Sequence, residues 1–189
     1  MHKSNSTYFT DLDISRGNLS LLLFSRRLSF QPSAHHSVMI LSGVQIVFRE
    51  EILPYQGYEV WSRVMSWDEK WLYIVSHFVE RNAVKHGTYL LQGKNKNVTQ
   101  GKKEKATVFA SAVSRYVFKQ QKKTFPPETM LVECGLLPLE KGAEWEAIEA
   151  RRKRDLEAAQ LKSGWDAVHA AFDGDESAAL GRYVDLLWR

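Results

Sequence analysis

The stretch MHKSNSTYFTDLDISR, residues 1–16, gathers side chains able to move a proton or hold a polar ligand: His2, Asn5, Tyr8, Asp13 and Arg16. An imidazole and a carboxylate are the usual groups for taking a proton from water and returning it to a leaving group. Asn5 and Tyr8 add hydrogen-bonding groups that could position a carbonyl. The spacing around them is helical. Tyr8, Leu12, Ser15, Leu19, Leu22 and Leu23 recur at steps of three and four on one face between Asn5 and about Leu28. Ser4 or Asn5 can cap the start of this helix. A helix start leaves backbone N–H groups without partners and carries a partial positive charge, so it suits an oxygen that becomes negative during a reaction.

Other catalytic patterns fail. No Gly-x-Ser-x-Gly elbow is present, and the glycines near Gly93 and Gly101–Lys102 are too far apart for a phosphate loop, with Lys103 where a hydroxyl residue is required. The single Cys134 excludes an internal disulfide framework and any paired-cysteine metal or redox motif. His35, His36 and His77 lack companions at metal-ligand spacing, so no metal and no cofactor is assigned. Asp13 has a structural reading beside the catalytic one, an ion pair with Arg16 one turn away. Trp67, Lys70 and Trp71 could line a ligand channel or belong to plain core.

The 189 residues support one sizeable core, and 44% hydrophobic with 12% aromatic content is that of a folded globular chain. The formal charge of +4 is local: Lys94 to Lys123 alone is net +8, which leaves −4 for the rest. Such a patch could meet nucleic acid, a membrane surface or the acidic parts of coenzyme A and carrier proteins, or be a solvated loop. Nucleic acid is disfavoured because aromatic residues do not interleave with the basic ones. The longest apolar cluster, Leu19 to Phe24, is far below the roughly 20 residues needed to span a bilayer. No signal peptide is recognised, which makes a cytoplasmic location the expectation.

Strands must position the helix. After Gln31–Pro32–Ser33, Val44, Ile46 and Phe48 alternate with period two inside Val38 to Arg49. YEVWSRVMSW and KWLYIVSHFVER, separated by Asp68 and Glu69, read as an antiparallel hairpin. Both faces of these strands are apolar, so both sides of the sheet need cover, and one helix supplies only one side. A Gly-, Asn- and Lys-rich loop at 84–105 precedes a further strand from Thr107 to Lys119. Ala143 to Phe172 reads as a charged helix, kinked or broken at Ser163–Gly164, and ALGRYVDLLWR has apolar residues with which to dock.

One long helix followed by about four antiparallel strands, with this opening motif, resembles the hotdog fold of the 4-hydroxybenzoyl-CoA thioesterase-like superfamily. Within it the chain is most similar to the thioesterase superfamily member 6-like branch and its fungal relatives. Members carry His-x-Asn-Asn-x-x-Tyr at the helix start and then an acidic residue and an arginine three apart. His2, Asn5 and Tyr8 stand at the matching offsets, Ser4 replaces the first asparagine, and Asp13 with Arg16 supplies the later pair. ASAVSRYVFK and PPETMLVECGLLP also resemble this branch.

The resemblance implies an α+β hotdog domain at 1–140, its long central helix wrapped by a curled antiparallel sheet, with a basic insertion at 84–105 and a helical extension at 141–189. It implies an acyl-thioester hydrolase acting on acyl-CoA or acyl-carrier-protein intermediates, in a setting such as fungal polyketide or lipopeptide secondary metabolism. His2, Asn5 and Asp13 would be the catalytic residues, with Tyr8, Trp67, Lys70 and Trp71 against the substrate, in a homodimer. Many family members place an Asp a few residues before the motif histidine. Only Met1 precedes His2, so the reading expects an N-terminally truncated sequence. Without that carboxylate the alternative is a catalytically silent acyl-binding or scaffolding protein.

Overall fold

A computed structural model describes residues 2–29, 35–82, 107–161, 168 and 170–172, and the backbone of 88–89, 93–94 and 181–182. Helix α1 (Asn5–Phe24) opens the chain. Strands β1 (Val38–Phe48), β2 (Tyr58–Trp67) and β3 (Leu72–Glu80) follow, then a two-residue pair, β4 (Thr88–Tyr89) with β5 (Gly93–Lys94). The 13-residue strand β6 (Val108–Gln120) turns into β7 (Lys123–Phe125), and α2 (Pro127–Glu133), α3 (Ala143–Ala159) and β8 (Gly181–Arg182) complete the order. The rest of 84–105, where the sequence places a basic insertion, lies outside the described residues.

The main sheet is antiparallel in the order β1-β6-β3-β2-β8, with β7 also paired to β6. The β2–β3 hairpin closes at Asp68, whose carboxylate accepts from the Lys70 and Trp71 amides at 2.9 and 2.7 Å. Such a bond from an aspartate to the amides two and three residues on holds a tight turn without further help.

Alternation along the strands sends Val60, Ile74, Phe78, Ala112 and Phe118 towards α1. Two apolar clusters form there. One joins Tyr8 and Leu12 to Ile52, Val60, Phe78, Phe109 and Ala112. The other joins Leu19, Leu23 and Phe24 to Trp67, Leu72, Ile74, Tyr116, Phe118 and Met130. A buried polar belt separates them. Ser15 Oγ lies 2.7 Å from Ser62 Oγ, which lies 2.7 Å from Ser76 Oγ, and Arg16 Nη1 donates to Ser114 Oγ at 2.6 Å. Small hydroxyls on three adjacent strands thus receive a helix that carries a serine and an arginine on its buried face, and each hydroxyl gains a partner in place of water.

The second face of the sheet is covered by α3, whose Leu156 and Ala159 pack on Met65, Tyr73, Val75 and Val113. Arg152 ties α3 to the hairpin by donating from Nη1 to the Trp67 carbonyl at 2.8 Å. The Ser66 hydroxyl returns the link by donating to the Arg152 carbonyl at 2.8 Å.

A long first helix laid on an antiparallel sheet of this order is the α+β hotdog arrangement that the sequence leads one to expect. Three details differ. Among the described residues the sheet covers one side of α1 and does not wrap it: Phe9, Ile14 and Leu21 on the outer side are 39–49% exposed. The strongly apolar residues Tyr8, Leu12, Leu19 and Leu23 lie on a single stripe, and one sheet face suffices to bury a stripe. The helix stops at Phe24 rather than near Leu28, because Leu28 leaves it to bridge Ser37 and pack against the second cluster. The tail is not all helical. Helix α3 ends at Ala159, ahead of Ser163–Gly164, which lie outside the described residues, and Gly181–Arg182 pairs with Ser62 and Trp61 as a strand. Helix α2 carries no periodic signal in the sequence. Pro127 at its first turn pre-sets the backbone, and burial of Met130 and Leu131 holds it.

Candidate active site

The N-terminal end of α1 is built from two segments lying side by side. The Lys3 amide donates to the Ile52 carbonyl at 2.9 Å, which draws His2–Lys3 along Glu51–Ile52. Ser4 then takes an extended conformation (φ −66°, ψ 139°) as the residue before the helix and makes no side-chain cap; its hydroxyl lies 2.9 Å from the Ser6 hydroxyl instead. The Thr7 amide and hydroxyl both donate to the Ser4 carbonyl, at 3.0 and 2.7 Å. No acidic residue occupies the first turn. The positive end of the helix dipole is therefore left uncapped by any side-chain anion of its own, at an exposed place.

Behind this turn sits a cluster of charged and aromatic groups. The Lys3 ammonium lies 2.8 Å from Asp11 Oδ2 and within 5.2 and 5.0 Å of the Tyr8 and Tyr58 ring centres. The Tyr58 hydroxyl donates to the same Asp11 oxygen at 2.6 Å. Burial works to lower the Lys3 pKa, but the hydrogen bonds to Asp11 and Tyr58 outweigh it and hold the ammonium above its usual range. Burial, reinforced by the Asp11 carboxylate, pushes the Tyr58 phenol up, so it stays a donor. Lys3 sits between His2 and Ser4 in the chain, so fixing its ammonium fixes the backbone that carries both.

Beside the turn, His2 Nδ1 lies 3.8 Å from Glu51 Oε2, with both side chains about three-fifths exposed. Glu51 also lines a cavity of about 410 Å³ whose other walls are Glu50, Leu53, Gln56, Glu80, Thr107 and Phe109. The imidazole next to the uncapped helix start thus lies beside Glu51, a carboxylate that also lines this cavity with two apolar walls. Such a set can polarise a carbonyl and hold a water against it.

The residues named from sequence divide between three places. His2 and Asn5 are exposed at the helix start. Tyr8 follows one turn on but is 2% exposed, its ring 5.0 Å from Phe48 and 4.7 Å from Phe78, so it belongs to the core beneath the site. Asp13 lies eight residues beyond Asn5, about 12 Å along the helix axis. Its carboxylate is 69% exposed and paired with the buried Arg16. Trp67, Lys70 and Trp71 stand at the other end of β2, roughly 30 Å of strand away from Tyr58. Trp67 is core there, while Lys70 and Arg115 sit 4.4 and 4.5 Å from the Trp71 ring. The two groups are not brought together within one chain.

Sequence reading missed Lys3, Asp11, Tyr58 and Glu51. Tyr8 and Asp11 are one helical turn apart, which is a visible signal. The contacts of Asp11 with Tyr58 and of His2 with Glu51 join residues nearly fifty positions apart and leave no local trace. Cys134 caps α2, and burial raises its thiol above the usual range, so it offers no thiolate. Among the described residues no helix is long and apolar enough to cross a membrane.

Comparison with known proteins bears on the family of the chain. No family model matches the chain. The probable thioesterase atnL of Emericella nidulans is 37% identical over 217 residues, covering 98% of this chain and 70% of that protein. Thioesterase poxG of Penicillium oxalicum is 36% identical over 205 residues, covering 96% of this chain and 68% of that one. Among solved structures, YbaW, a probable thioesterase from Escherichia coli, overlaps 71% of this chain and 84% of its own with a TM-score of 0.47 and 16% identity. On the near-complete match to two fungal proteins, the chain belongs to the thioesterase family of atnL and poxG.

Proposed function

We propose that the protein hydrolyses acyl thioesters, carried by coenzyme A or an acyl-carrier protein, at the N-terminal end of α1. The observation that carries this reading is the uncapped first turn of a long helix, preceded by His2 at 3.8 Å from Glu51, which lines a cavity of about 410 Å³, in a chain of the thioesterase family. The substrate carbonyl oxygen would face the first-turn amides, where the charge that develops on it is stabilised. Loss of one such donor typically costs about 10²- to 10³-fold in rate. Asn5 and His2 border the same spot. Phe109 and Leu53 offer the acyl chain an apolar wall. Fungal secondary metabolism is the setting that this reading takes from the sequence resemblance, and a cytoplasmic location fits an enzyme of coenzyme A or carrier-bound intermediates.

A homodimer is part of this reading. Strand β1 is an edge of the sheet, and Ile40, Leu41 and Phe48 on it are 40–45% exposed, which is what a self-pairing edge presents. A dimer could also bring Trp71 and Lys70 of one subunit nearer the helix start of the other.

The test is thiol release from a panel of acyl-CoA and acyl-carrier-protein substrates by purified protein, with the mass in solution measured by light scattering. Steady turnover with at least one acyl chain is the expected result. Tight binding of acyl-CoA with no thiol released from any member of the panel would replace the enzyme with a silent acyl-binding protein.

A further inference from the structure

We infer that Ser29 is a phosphorylation site for an arginine-directed serine/threonine protein kinase, and that its phosphate takes Arg27 from Glu133; the inference goes beyond the thioesterase reading and does not depend on it. Arg26 and Arg27 stand three and two residues ahead of Ser29, and no Asp or Glu lies between Asp13 and Glu50. A hydroxyl behind two cations, with no carboxylate in its own segment to cancel them, has the charge pattern that an acidic kinase cleft complements. The one other serine three residues after an arginine is Ser66, which is 0% exposed and spends its hydroxyl on the Arg152 carbonyl.

The fold presents Ser29 in a suitable shape. Past the end of α1, Leu28 bridges Ser37, the Ser29 amide donates to the Ser37 carbonyl at 3.0 Å, and the Ser37 amide donates to the Arg27 carbonyl at 2.8 Å. Residues 27–29 therefore run extended, the form that a groove reads side chain by side chain. Leu28 packs against the cluster of Leu19, Leu23, Phe24 and Met130, so alternation turns both its neighbours, Arg27 and Ser29, away from that core. Arg26 is exposed, and Arg27 and Ser29 are partly exposed.

Arg27 is also where a phosphate acts. Its Nε lies 2.9 Å from Glu133 Oε2 at the end of α2, with side chains 24% and 38% exposed, yet makes no hydrogen bond there. Such a pair holds by charge alone and contributes little. A phosphate carries a charge of about −1.5 to −2 at pH 7 and three acceptor oxygens. On Ser29 it stands on the same side of the extended segment as Arg27, wins the guanidinium from the single carboxylate and repels Glu133. Met130 and Leu131 keep α2 in the core, so the release is local to the end of that helix.

The transfer uses ATP as phosphoryl donor. The Ser29 hydroxyl oxygen bonds to the γ-phosphorus as the bond from that phosphorus to the β–γ bridging oxygen breaks; ADP leaves, and the hydroxyl proton passes to the base of the kinase.

The test treats the full folded chain with ATP and the catalytic subunit of cAMP-dependent protein kinase, which selects arginine ahead of serine, and reads incorporation by intact mass and peptide fragmentation. Expected is one phosphate per chain at Ser29, none in Ser29→Ala, and incorporation slowed roughly 10-fold or more in Arg26→Ala, with the thermal midpoints of both variants near wild type. Hydrogen exchange across α2 should then be faster in the phosphorylated chain, and Glu133→Gln should show the same rise without phosphate. An unmodified Ser29, labelling of Ser29 only after urea unfolding, or undiminished incorporation in Ser29→Ala overturns the site. A chain phosphorylated at Ser29 whose α2 exchanges as before overturns the release of Glu133.

Discussion

Arg16 is the place where burial and charge can be separated by experiment. Its side chain is 2% exposed, with Nη1 donating to Ser114 Oγ and Nη2 paired with Asp13, while Nε is buried without a hydrogen-bond partner. Three substitutions divide these contributions. Arg16→Met keeps the bulk and removes the charge. The Ser114 hydroxyl loses its donor at about 1–3 kcal/mol, but the standing cost of a desolvated guanidinium disappears, which brings the net loss to about 1 kcal/mol.

Arg16→Ala adds a void under α1 between the two apolar clusters, and large-to-small changes of this kind raise the total to roughly 3–5 kcal/mol. Asp13→Asn should cost below about 1 kcal/mol, because a carboxylate that is 69% exposed is screened by water. The assay is urea unfolding followed by tryptophan fluorescence, comparing midpoints at unchanged slope. The reasoning is refuted if Asp13→Asn costs as much as Arg16→Ala, which would mean that the ion pair rather than packing holds the helix, or if Arg16→Met matches Arg16→Ala.

Three further outcomes follow from the clusters at the ends of β2. Tyr58→Phe removes the donor to Asp11 and should cost about 1 kcal/mol, seen as a fall of roughly 2–4 °C in Tm for a chain of this size, with kcat falling while Tyr8→Phe leaves it unchanged. At the hairpin, burial and then the Asp68 carboxylate push the Tyr73 phenol up to about 12 from an ordinary 10.0. A raised folded-state value adds stability that is complete below pH 10.0 and is lost as pH rises towards about 12, so Tyr73→Phe should flatten that limb of a stability-against-pH curve. Burial opposes ionisation of Asp68, but bonds from the Trp71 and Lys70 amides, Tyr73 and Gln160 hold it below 3.8. Its contribution is present above 3.8 and fades as pH falls below it, and Asp68→Asn should remove that acid limb.

Local pattern was enough for much of this protein. Period-two alternation marked β1, the Asp68–Glu69 break marked the hairpin, and steps of three and four marked α1, because those signals come from neighbours in the chain whose side chains share a face. The need for cover on both sheet faces was also legible, since β3 is apolar on each side, and α3 supplies the second layer. The opening motif pointed to the correct family through residue types at fixed offsets along one helix.

What the sequence could not provide was anything decided by two distant segments meeting. Whether His2 has a carboxylate beside it depends on Glu51 arriving from the end of β1, and whether Asp13 can reach the helix start depends on a rise of about 1.5 Å per residue that sets it about 12 Å away. Trp67, Lys70 and Trp71 read as possible neighbours of Tyr8 in one dimension, yet β2 runs the length of the sheet between them. Residue types set which chemistry was available to this chain. The packing of α1 across three strands, with a serine–arginine belt between two apolar clusters, decided which of those groups share a place.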